Sequence, residues 1–221
     1  SFLRSSALAG GGLLLGLYLK NGAALAAEVG QPTDATLSDF APNAFLRVAL
    51  DGTVTIVAHK PEMGQGVMTS IPMILAEELE APWQTVTVQM ADLNAVYGNQ
   101  TAGGSTSTPT FYTQLRQLGA TARVMLVDAA AQTWGVPAAE CSAEAASVHH
   151  KAGKKSLAYR DLVTKAAALP VPDSKKVPLK DPKDFKHMGK SIPRFDIPAI
   201  SLLELSFPTY QPDAIYTVTP L

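Results

Sequence analysis

With 221 residues, 47% of them hydrophobic, and a net charge of −1, the chain can form one sizeable core plus extensions. It carries no global charge that would draw it to nucleic acid or an acidic membrane. Cys141 is the single cysteine, which excludes an intrachain disulfide, a cysteine metal cluster and a CxxC redox pair; it reads as a small buried apolar residue.

The charge is unevenly placed. Residues 41–148 carry four Lys/Arg against nine Asp/Glu, whereas residues 149–190 carry eleven against four. Near the start, Arg4 precedes the apolar run "ALAGGGLLLGLYL", too short to span a bilayer comfortably but suited to an export leader. Ala24–Ala26 offers a small-residue cleavage site. The opening "SFLR" is similar to the latter half of a twin-arginine signal, so residues 1–27 are read as a leader truncated at its N-terminus, destined for the periplasm. An ordinary apolar first helix is the alternative.

Residues 28–43 are polar, contain proline and lack periodicity, as a mature N-terminal arm would. "FLRVALDGTVTIVAHK" alternates on both sides of Asp51-Gly52 and predicts a hairpin with strands over 45–50 and 53–59. From Val67 to Leu79 the apolar residues fall at helical spacing, with Pro72 tolerated at about the first turn. "TVTVQMA" predicts a third strand, and residues 92–110 a long loop rich in Gly, Ser, Thr and Asn. A long amphipathic helix follows from Phe111, with Leu115, Leu118, Ala122, Met125, Leu126 and Ala129 on one face and Gly135 as its stop. "KAGKK" suggests a small hairpin before a short helix from about Ala158. Residues 169–198 alternate prolines with lysines and read as an extended, solvated connector over a larger body; residues 199–221 form an atypical apolar tail. The predicted fold class is α+β, a small mixed sheet with a hairpin packed against two amphipathic helices over residues 44–168, plus the Pro/Lys-rich connector.

Two segments carry candidate chemistry. In "EMGQG", Gly64 and Gly66 let the backbone approach a ligand closely, Gln65 offers a donor and an acceptor without charge, and the following helix N-terminus offers free N–H groups. A tight turn alone also accounts for this tripeptide. In "GNQTAGGSTST", Gly103, Gly104, Ser105 and Thr106 can present backbone N–H and hydroxyl donors to an anionic group; a surface loop is the bland alternative. The segment lacks the Lys-Ser/Thr ending of a P-loop, and nothing around Ser105 supports a nucleophile. His59, Lys60 and Glu62 could line the site, although solvation at a strand end is the expected role. His149 and His150 are adjacent in a strand and point to opposite faces, which is poor geometry for a shared metal.

Together, "EMGQGVMTSIPMILAEEL", "VTVQMAD" and "YGNQTAGGSTST", followed by a helix of "R…L…A" pattern, resemble the molybdopterin-binding subunit of the xanthine dehydrogenase/aldehyde oxidase family, isoquinoline 1-oxidoreductase beta-subunit type. The resemblance covers roughly residues 40–200. It implies that Gly64, Gln65 and Gly66, together with Gly103, Gly104, Ser105 and Thr106, contact a molybdenum pyranopterin, in its cytosine dinucleotide form. It further implies hydroxylation of an N-heterocycle or aldehyde with water as oxygen donor, and electrons leaving through iron–sulfur clusters on a separate small subunit. The family's catalytic glutamate has no counterpart here, so no catalytic residue is assigned. The family pattern gives way near Pro198, and the chain reads as an N-terminal fragment, inactive alone, of a longer subunit. A non-catalytic exported binding module derived from the same domain is the alternative.

Overall fold

Leu13–Leu14 (β1) pairs antiparallel with Leu46–Val48 (β2) in the computed structural model, which describes residues 13–14 and 45–197. The rest of the leader over 1–27, the polar arm over 28–43 and the tail over 199–221 lie outside the described residues. The expected hairpin joins β2 to Val54–Ala58 (β3), with Leu46 opposite Ile56 and Val48 opposite Val54. Its turn is closed locally. Asp51 Oδ1 accepts from Thr53 N at 2.8 Å, and Gly52 adopts φ 96°, a conformation glycine reaches without a Cβ penalty.

β3 also pairs, in parallel, with Val86–Met90 (β4), so the first sheet is mixed, with order β1-β2-β3-β4. A parallel pair requires a crossover, and Val67–Leu79 (α1) supplies it, burying Val67, Ile71, Ile74, Leu75 and Leu79. The helix matches its predicted span. Pro72, however, falls in its second turn, where it removes one intrahelical N–H donor.

Ser107–Trp134 (α2) packs along α1, burying every residue of the predicted face. The two helices run parallel: Ser70 and Thr108 hydroxyls lie 3.4 Å apart at one end, and Glu78 bonds Arg116 farther along. Gly119 permits this approach, because a Cβ there would meet Leu75 O at 2.6 Å and Glu78 Cβ at 2.8 Å. Gly135 ends the helix in the left-handed region at φ 67°, as expected.

A second sheet was not foreseen in full. Cys141–Glu144 (β5), Ser147–His150 (β6) and Lys155–Ala158 (β7) form an antiparallel meander leading into Tyr159–Ala167 (α3). The β5–β6 link is the two-residue loop Ala145-Ala146, both at positive φ, 47° and 55°, without the usual Asn-Gly signal. Tertiary bonds hold that strained loop: Ala146 N donates to Glu80 O at 2.9 Å, Tyr159 N donates to Ala146 O at 2.9 Å, and the buried Tyr159 hydroxyl donates to Leu79 O at 2.6 Å. The second sheet is thereby fastened to the end of α1. Cys141 is half-buried rather than fully buried.

The Pro/Lys-rich connector is not simply solvated. It runs back along α1, organised by the acidic pair that ends the helix. The buried Glu77 carboxylate accepts from the N–H groups of Lys186, His187 and Met188 and from Lys180 Nζ. Burial alone would raise its pKa, but the Lys180 ammonium and those three amides outweigh it and bring the value down to about 2. Among the described residues no helix is long and apolar enough to cross a membrane.

Candidate functional site

β3 and β4 end side by side, and both candidate segments leave from their carboxyl ends, the edge at which open α/β arrangements bind ligands. The first is the turn 59–66 leading into α1; the second is the loop 91–106 leading into α2. Each feeds a helix N-terminus, and the Ser70–Thr108 contact brings those two ends together.

The free N–H groups expected at the start of α1 are not free. Glu62 Oε1 accepts from Gly64 N at 2.8 Å and Gly66 N at 2.9 Å, and Oε2 accepts from Met68 N at 2.8 Å. Its own carboxylate therefore fills the anion nest at this helix start. Burial pushes the Glu62 pKa up, but the Met68, Gly66 and Gly64 amides and the charge of Arg194 hold it below the ordinary value. Arg194, at the far end of the connector, donates to Gly64 O at 2.6 Å and approaches Glu62 Oε1 at 3.5 Å.

Gln65 is exposed, and its amide closes the turn that carries it: Oε1 accepts from Met63 N at 2.6 Å and Nε2 donates to Pro61 O at 2.8 Å. One N–H and one lone pair of the amide remain for an outside partner. Gly64 and Gly66 have φ of 100° and 83°, so backbone conformation already demands glycine at both.

In the second segment, Gly104 and Ser105 lie in the left-handed region at φ 59° and 57°, and Thr106 donates its hydroxyl to Gly103 O at 2.9 Å. Gly103 differs. Its φ is not positive, and a Cβ there would meet nothing within 4 Å, so neither conformation nor packing within the described chain explains a glycine.

Lys60 joins the two segments. Its side chain is 2% exposed, and Nζ donates to Asn99 O at 2.5 Å and Thr101 O at 2.9 Å while lying 4.8 Å from the Phe111 ring centroid. His59 is buried too, edge-on to Phe45 and Phe111, with neither ring nitrogen bonded. Burial first, and the neighbouring Lys60 charge second, lower its pKa to about 4, so the ring is neutral near pH 7. The expectation of solvation for His59, Lys60 and Glu62 is thus corrected. Pro61 limits the backbone of Lys60 to extended conformations, but the inward turn of its side chain is set by the loop carbonyls it meets, which no local pattern shows. Arg194 lay too far along the chain for any local pattern to place it here.

His150 is buried apart from this edge, with Nε2 3.0 Å from Glu140 Oε2 and the ring stacked on Trp134.

A family model described as the molybdopterin cofactor-binding domain matches residues 16–197. The chain belongs to the molybdopterin cofactor-binding domain family. The isoquinoline 1-oxidoreductase beta subunit of Brevundimonas diminuta is 38% identical over 157 residues, covering 67% of this chain and 20% of that protein. A protein of Gluconacetobacter polyoxogenes named as a membrane-bound, pyrroloquinoline-quinone aldehyde dehydrogenase is 30% identical over 164 residues, 72% of this chain and 21% of that one. The domain thus spans about a fifth of the length of these relatives. The crystal structure of quinoline 2-oxidoreductase from Pseudomonas putida 86 aligns with a TM-score of 0.42 at 19% identity, over 58% of this chain and 17% of that one.

Proposed function

We propose that the edge formed by Gly64–Gly66 and Gly103–Thr106 is one wall of a molybdenum pyranopterin site in an oxidoreductase subunit. Gly103 carries this reading: the described residues give no reason for a glycine there, whereas a cofactor lying against the backbone does. The donors around it fit a polar, anionic group. Ser105 offers an exposed neutral hydroxyl, Gln65 retains a free amide N–H, and the Glu62 carboxylate is turned onto three backbone amides, with Arg194, itself paired with Asp196, 3.5 Å away.

When bound, the molybdenum centre would supply hydroxylation of a carbon of an N-heterocycle or aldehyde with oxygen from water. The residues of this domain would hold and orient the cofactor, in the cytosine dinucleotide form, and carry no catalytic group. An iron–sulfur subunit would take the electrons, and the leader-like run after Arg4 supports export to the periplasm. One relative is named for pyrroloquinoline quinone, so cofactor identity is the discriminating test. Denaturing the full-length subunit that carries this sequence should release a pterin and molybdenum. Release of a quinone with no pterin would refute the proposal.

A further inference from the structure

We infer that Lys60 is a positioning residue that sets the spacing between the two walls of the site; this rests on the cofactor reading above. The tripeptide Lys60-Pro61-Glu62 leaves the end of β3 and sends opposite charges into opposite walls. Glu62 gathers the N–H groups of Gly64, Gly66 and Met68, while Lys60 gathers the carbonyls of Asn99 and Thr101. Pro61 holds the segment rigid through its fixed φ and limits the backbone of Lys60 to extended conformations. Both walls are thus referenced to one short stretch of chain, in addition to the Ser70–Thr108 contact between the helix starts.

The lysine charge makes the link strict. Among the described residues no carboxylate pairs with the Lys60 ammonium; two carbonyls and the face of Phe111 are what it has. If the loop moved away, a buried cation would lose its oxygens in an apolar surrounding, a state far costlier than breaking an exposed hydrogen bond. The loop 98–106 therefore stays docked as long as Lys60 stays charged and buried. A neutral residue of similar volume would fill the space without imposing that condition. The long loop bearing Gly103–Thr106, which by composition alone would wander, is anchored through Tyr97 on Phe45 at its start, and Lys60 holds its later part beside the Gln65 turn.

The test compares Lys60→Met, which keeps volume and removes charge and donors, with Lys60→Gln, whose shorter uncharged amide does not reach both carbonyls, and with Lys60→Arg, which keeps the charge and donors. Amide hydrogen exchange on the 221-residue chain should accelerate by about tenfold across 98–106 in the Met and Gln variants, as expected for the loss of a hydrogen bond to a charged group. Exchange at Gly64–Met68 and in β6 should not change, and Arg should restore much of the protection. In the full-length subunit the Met and Gln variants should lose molybdenum and pterin in the same order. Unchanged exchange across 98–106 in both variants would overturn the inference, as would a loosened loop with full cofactor content. Uniform acceleration throughout the chain would instead mark Lys60 as a general core residue and also overturn it. If exchange follows the prediction but the released cofactor is not a pterin, Lys60 orders the loop and the cofactor reading is what fails.

Discussion

Arg116 Nε donates to Glu78 Oε1 at 2.7 Å, both residues buried, and this pair couples α1 to α2 at the end remote from the candidate site. The same carboxylate accepts from Lys180 N in the connector and faces Arg123 at 3.4 Å. Removing one partner of a buried pair leaves the other uncompensated. Glu78→Ala should cost about 3–5 kcal/mol in urea denaturation and free the connector for proteolysis near Lys180. A cost below about 1 kcal/mol would show that water readily replaces the carboxylate.

Glu62→Ala should destabilise the domain by about 2 kcal/mol, the upper end for loss of a helix cap, because three amides lose one acceptor group. Glu62→Gln keeps one acceptor oxygen and should cost roughly half as much. The loss should be accompanied by faster amide exchange confined to Gly64–Met68.

His59 predicts an acid-dependent loss of stability. Its folded pKa of about 4 lies below the ordinary 6.5, so the unfolded chain takes up a proton that the folded chain refuses as pH falls between these values. The stability tied to the neutral ring is therefore complete above pH 6.5, declines as pH falls toward 4 and is constant below. The difference in unfolding free energy between the parent and His59→Leu should change by roughly 3 kcal/mol across that window. A pH-independent difference would mean that the ring reaches water in the folded state. Glu77 titrates lower: its contribution is present above the ordinary 4.5 and is lost as pH falls through about 2.

How far the sequence could be read depended on the range of the forces at each point. The helix 67–79, the Asp51-Gly52 hairpin and the buried face of α2 were legible because periodicity and turn chemistry are local signals. β5 was missed because Ala145-Ala146 adopts hairpin geometry on the strength of distant bonds to Glu80 and Tyr159 rather than of its own residues. The connector looked solvated by composition, yet Lys180 is nearly buried against Glu77, 103 positions away in sequence. The local pattern places Gly64–Gly66 at a helix start, whereas α2 begins at Ser107, inside the loop expected over 92–110, and what joins and occupies the two starts, Lys60 and Glu62, looks like surface charge in the sequence. Charged residues at strand ends are ordinarily solvated, and only the fold shows which are drawn inward.

The proposed cofactor wall requires an outside group against Gly103. Gly103→Val in the full-length subunit tests it most directly, because a Cβ at this position meets nothing of the described chain within 4 Å. Thermal stability should be unchanged, with molybdenum and pterin content, measured on the same preparation, reduced several-fold. Full cofactor content in a Gly103→Val protein of unchanged stability would contradict it.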